Sequence, residues 1–111
     1  MIVRLYTGID LESHFEDLAL PQTDCETINL KQGQRLTLTR LFEGDFRSWH
    51  NPSRRQYVVT LSGQLEIGVG GGVVRRLFPG DVLLAEDMIG QGHTRLALGG
   101  SCLLLTVPLG D

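Results

Sequence analysis

Short apolar runs alternate with turn residues along this chain. In Gln64–Gly70, QLEIGVG, Leu65, Ile67 and Val69 share one face, with Glu66 and Gly68 on the other, the period-two pattern of a strand. In Gln56–Ser62, QYVVTLS, both faces are largely apolar: Gln56, Val58 and Thr60 on one, Tyr57, Val59 and Leu61 on the other. A strand covered on both sides lies between two sheets or against a second subunit. The run Cys102–Leu109, CLLLTVPL, has the same character. The pattern predicts strands at Ile2–Tyr6, Thr27–Asn29, Arg35–Phe42, Gln56–Ser62, Gln64–Val69, Val73–Phe78, Val82–Ala85, Thr94–Leu98 and Cys102–Val107. Turn chemistry separates them at Ser62-Gly63, Gly70-Gly71-Gly72, Pro79-Gly80-Asp81 and Gly99-Gly100. Tight links between consecutive strands imply antiparallel pairing. One segment breaks the rhythm. In Asp10–Leu20, DLESHFEDLAL, Leu11, Phe15 and Leu18 stand at helical spacing before Pro21, which predicts a short helix.

Composition narrows the class. The chain has 111 residues and no repeat or linker, so a single domain over 1–111 is expected. A net charge of −3 with no Lys/Arg-rich stretch argues against a nucleic-acid partner. No apolar stretch is long enough to span a bilayer, and MIVRLYTGID carries no signal-peptide pattern, so no membrane association and a cytoplasmic location are the expectations. Cys25 and Cys102 are far apart and in no metal spacing; they read as free, small, buried apolar residues. The surplus of apolar strand faces predicts a homodimer.

Two stretches carry a family resemblance. The first is GDFRSWHNPSRRQYVVTLSG, Gly44–Gly63: Gly44, five residues, His50, one residue, Pro52, three residues, Gln56, six residues, Gly63. The second is RLFPGDVLLAEDMIGQGH, Arg76–His93, with Pro79-Gly80-Asp81 at its turn. Together they resemble the two motifs of the cupin superfamily, and the chain looks like a small single-domain bacterial cupin. The first motif keeps the spacing, but Pro52 stands where the family has a second His and Gln56 where it has a Glu. In the second, Glu86 stands at a Pro position, His93 arrives two residues late, and Ala97 replaces the closing Asn. The resemblance implies an all-β cupin jelly-roll barrel of antiparallel strands, often dimeric, with the motif residues facing its mouth.

It also implies a site. Cupins hold a divalent metal with two His and a Glu from the first motif and a His from the second. Here His50, Gln56 and His93 are the candidate metal ligands, for Zn, Ni or Fe. An amide oxygen is a weaker ligand than a carboxylate, and Pro52 offers none. The alternative is a polar pocket in which the two imidazoles and Gln56 bind a small molecule by hydrogen bonds. The first reading makes the chain a metal-dependent enzyme acting on a small polar molecule, the second a non-catalytic binding or sensing cupin. No catalytic residue can be named. Glu86 and Asp87 read as a solvated pair or a turn cap rather than a replacement carboxylate, and Glu43 and Asp45 invite the same reading. Trp49 stands at a position that can stack a ligand, while Tyr57, of opposite parity to Gln56, points away. Arg54 and Arg55 suit an anionic substrate or, more simply, a solvated turn. Arg75, Arg76 and His14 read as surface residues, and Gly70–Gly72 as hairpin chemistry.

Overall fold

The computed structural model of the chain describes residues 1–19 and 27–110. Its strands are β1 (Ile2–Thr7), β2 (Ser13–Leu18), β3 (Thr37–Leu41), β4 (Phe46–His50), β5 (Gln56–Gly68), β6 (Val74–Leu77), β7 (Val82–Glu86) and β8 (His93–Pro108). The all-β class is as expected. β5 and β8 organise the rest. They pair antiparallel along almost their whole length, from Gln56 opposite Pro108 to Gly68 opposite Thr94. Midway, the register shifts around Ser62. There each strand bends, so its two halves serve two layers. One layer runs β2-β1-β7-β5-β8-β3; in the other, β6 pairs with the second half of β5 and β4 with the first half of β8.

This corrects two sequence-based expectations. Ser62-Gly63 and Gly99-Gly100 are corners within single strands, not links between consecutive ones. Gly63 has φ +72°, and a Cβ there would press on the Ser101 carbonyl 2.6 Å away. A residue without a side chain lets the two long strands cross closely where they bend. Among the described residues the expected antiparallel set also contains one parallel pair, β1 with β7, and the sheet does not close into a barrel.

Segment 10–20 is not helical. Over Ser13–Leu18 it forms β2, pairing with all six residues of β1. Ser13 is buried and Phe15 packs on the core. The hydrogen-bonding edge of β1 outweighs a helical spacing carried by three residues. The expected strand Thr27–Asn29 is irregular chain. β4, whose FRSWH lacks alternation, forms by pairing with β8. Gly70–Gly72 make the tight turn between β5 and β6, with Val69 N–H donating to the Val73 carbonyl at 2.9 Å. Cys25 lies outside the described residues; Cys102 is free and fully buried, and burial pushes its thiol pKa up.

The core lies between the layers, with Val3, Leu5, Leu65, Ile67, Leu77, Ala97 and Cys102 each at most 1% exposed. One end of this space holds polar residues instead, and there the cavity opens. Among the described residues no helix is long and apolar enough to cross a membrane.

Candidate functional site

The cavity measures about 170 Å³. Its floor is apolar, with Val58, Leu65, Ile67, Leu83 and Leu104, and its rim carries His50, Gln56, His93, Arg47 and Arg95. The pairing of β4 with β8 builds the basic side of the rim: Arg47 stands opposite Arg95, and His50 opposite His93. In a regular strand, residues three apart point to opposite faces. The register shift between Arg47 and His50 brings both to the cavity. Gly92, at φ +77°, completes the join, because a Cβ there would collide with the His50 carbonyl.

The structure brings together the three candidate ligands, His50, Gln56 and His93, around one space. Tyr57 faces outward with Val59, Val82 and Val107, as its parity requires. Trp49 is exposed and does not line the cavity.

Both imidazoles are held through Nδ1. The His50 Nδ1–H donates to the Ser48 carbonyl at 2.8 Å. Burial lowers the His50 pKa, outweighing that hydrogen bond, with charge repulsion from its neighbours, Arg47 and Arg95 among them, adding to the depression. A neutral ring donating through Nδ1 leaves a bare lone pair on Nε2. The His93 Nδ1–H donates to Asp87 Oδ2 at 2.7 Å. The two rings lie 4.4 Å apart, centroid to centroid, tilted by 58°. Neither Nε2 has a hydrogen-bond partner among the described residues.

Asp87 is the residue that sequence reasoning misplaced. It is fully buried rather than solvated. Its Oδ2 also accepts from Ser13 Oγ at 2.6 Å, while its backbone carbonyl accepts from Asn51 Nδ2 at 2.8 Å. β2, the loop after β4 and the first residue of β8 thus meet on Asp87, whose carboxylate joins Ser13 to His93 and orients the ring. Ser13 lies in a segment of helical spacing, so nothing along the chain marks this meeting. Glu86 is not a loop residue either. It ends β7 and accepts from Arg4 Nε at 2.7 Å and from Arg55 Nε at 2.6 Å. Arg55 is therefore committed to Glu86. Asp45 and Glu43 act in turns, accepting from the backbone N–H groups of Phe42 and Gly100.

Sequence reasoning missed Arg47 and Arg95. Arg95 had a signal, since it stands two residues after His93 and shares its parity. Arg47 had none, because its place depends on the bulge.

The divalent ion implied by the resemblance needs a test against this lining. Two imidazoles and an amide remain of the usual set; among the described residues no carboxylate lines the cavity, and two guanidinium groups do. Among the described residues no three His, Cys, Asp or Glu side chains converge on one point. A dication needs ligands that offset its charge; this lining adds positive charge and does not fit the family's ligand set.

Several solved structures share the fold. A conserved protein of unknown function from Streptococcus pyogenes, SPY1581, is 23% identical with a TM-score of 0.56, over 74% of this chain and 69% of that one. NMB1881 from Neisseria meningitidis is 15% identical with a TM-score of 0.56, over 83% of this chain and 90% of that one. The two stretches that resemble the cupin motifs meet at one cavity between two β-layers. The fold agrees with the all-β jelly roll that the resemblance implies. An RmlC-like cupin protein from Desulfovibrio desulfuricans aligns at 15% identity and a TM-score of 0.47, over 86% of this chain and 100% of that one. No protein-family model matches the chain, and no curated protein does.

Proposed function

We propose that this chain is a ligand-binding cupin that takes a small polar molecule into the cavity between its layers. His50 offers a bare Nε2 acceptor, His93 turns its own Nε2 to the same cavity, and Gln56 offers both a donor and an acceptor. The state of the two rings is the observation that supports this reading: both are oriented through Nδ1, so both present Nε2 to the cavity they line. An apolar floor under a rim with a few convergent polar groups is the usual form of a small-molecule site.

A metal-dependent enzyme is the second reading. In its favour, metal-ligating histidines are commonly tied at the other ring nitrogen by a carbonyl or carboxylate, as both rings are here. Against it stand the lack of a carboxylate in the lining among the described residues and the presence of two guanidinium groups.

Thermal unfolding of the parent, Gln56→Ala and Gln56→Glu, each titrated with erythritol, L-malate and NiCl2, tests both. Binding predicts a saturable rise in Tm with at least one organic compound, lost in Gln56→Ala. No saturable response to either would overturn it. A response to nickel alone, strengthened in Gln56→Glu, would establish the metal reading instead.

A further inference from the structure

We infer that the cavity is an anion site: it takes a small organic acid or phosphate-bearing molecule whose charged group sits between Arg47 and Arg95. The inference rests on the binding reading above and names its ligand class.

The distribution of charge carries it. The chain is acidic overall, with 13 Asp and Glu against 10 Lys and Arg. Four arginines elsewhere are paired: Arg4 and Arg55 with Glu86, Arg75 with Asp17, Arg76 with Glu66. Arg47 and Arg95 are distinguished by where they stand. They line the same cavity, stand directly opposite each other on neighbouring strands, and form no ion pair or side-chain hydrogen bond among the described residues. Like charges opposite each other across a ladder oppose folding. Arg95 is also half-buried, and its guanidinium is disfavoured first by desolvation and then by Arg47, with weaker opposing influences from Cys102 and Asp45. A pair that works against the empty protein is offset when an oxyanion enters, because planar guanidinium forks match carboxylate and phosphate oxygens.

A second cavity adjoins the first and shares Ser53, Gln56 and Thr106 with it. Its lining also holds two arginines, Arg35 and Arg54, and no carboxylate among the described residues. Neither forms an ion pair among the described residues. The preferred ligand thus has two acidic ends, one between Arg47 and Arg95 and the other toward Arg54. Its polar middle faces His50, Gln56 and His93. At about 170 Å³ the inner cavity is below the usual range for drug-sized ligands, which limits the ligand to a few heavy atoms beyond its charged groups.

The test is calorimetric and thermal titration of the whole chain with L-malate, inorganic phosphate and neutral erythritol, at constant ionic strength and neutral pH. Saturable binding of malate or phosphate, weakened about tenfold or more by Arg47→Gln or Arg95→Gln and unchanged by Arg40→Gln, supports the inference. Whichever anion binds more tightly names the source. The same two variants should unfold a few degrees higher than the parent without ligand, since each relieves the opposed pair; this separates loss of binding from loss of folding. Arg54→Gln should weaken malate and leave phosphate unchanged, and equal malate affinity in this variant would overturn the two-ended ligand. Erythritol binding as tightly as malate, with no dependence on Arg47 or Arg95, would overturn the anion site while leaving the binding reading intact. Absence of all three titrations would overturn both.

Discussion

Asp87→Ala should remove the support of the site and a measurable share of the stability. Asp87 is fully buried, and its Oδ2 holds two donors, Ser13 Oγ at 2.6 Å and His93 Nδ1 at 2.7 Å. Ser13 and His93 are themselves 2% and 5% exposed, so neither donor readily finds water once the carboxylate is gone. An unpaired buried donor costs about 1–3 kcal/mol, which sets a gross loss of about 2–6 kcal/mol for the two. Part of this is recovered: Asp87 Oδ1 is buried without a partner among the described residues, so deleting the carboxylate removes an existing desolvation cost. A net loss of about 2–4 kcal/mol follows, and at about 4 °C per kcal/mol for a chain of this size, Tm falls by about 8–16 °C. Asp87→Asn keeps one oxygen as acceptor and should lose less than half as much. Urea unfolding at unchanged m, followed by Trp49 fluorescence, measures the loss. A long-range ¹⁵N–¹H spectrum of the imidazoles measures the second effect: His93 should move toward a mixture of tautomers in Asp87→Ala, while His50, held by Ser48, keeps its proton on Nδ1. If Asp87→Ala unfolds within about 0.5 kcal/mol of the parent and His93 keeps one tautomer, the carboxylate does not hold this site together.

Three further outcomes are expected. Gly92→Ala should destabilise the chain by more than about 1 kcal/mol and shift the His50 and His93 resonances, because its φ of +77° and its contact with the His50 carbonyl both exclude a Cβ; a stable variant with unmoved resonances would contradict this. Burial pushes the Glu86 pKa up, but the hydrogen bonds from Arg4 and Arg55 outweigh it and hold the carboxyl below its ordinary 4.5. The stability that Glu86 adds over Glu86→Gln should therefore be complete above that pH and vanish as pH falls through the lower folded value, and a pH-independent difference would refute the pairing. The expected homodimer should form through the outward apolar row made by Leu38, Leu105, Val59, Val82 and Ile2, which the strand registers place side by side. Leu38, 64% exposed, is its accessible end, so Leu38→Lys should shift sedimentation toward a monomer, whereas a monomeric parent at micromolar concentration would remove the proposal.

What the chain determines alone is whatever depends on neighbours in sequence. Period-two alternation in QLEIGVG and QYVVTLS decided the strand class and the inward face of β5. It thereby placed Gln56 toward the cavity and Tyr57 away from it. The resemblance of Gly44–Gly63 and Arg76–His93 to the two cupin motifs marked His50 and Gln56 as companions of His93. Tertiary structure decided everything that depends on which strand lies beside which. Ser62-Gly63 reads locally as a turn, and only the pairing of β5 with β8 makes it a corner. Segment 13–18 has weak preferences of its own, so the open edge of β1 made it a strand and carried Ser13 to Asp87. A one-residue register shift in β4 turned Arg47 inward to face Arg95. Alternation specifies a face only while the ladder is regular; a bulge reverses parity, and long-range pairing rather than local composition determines where a bulge falls.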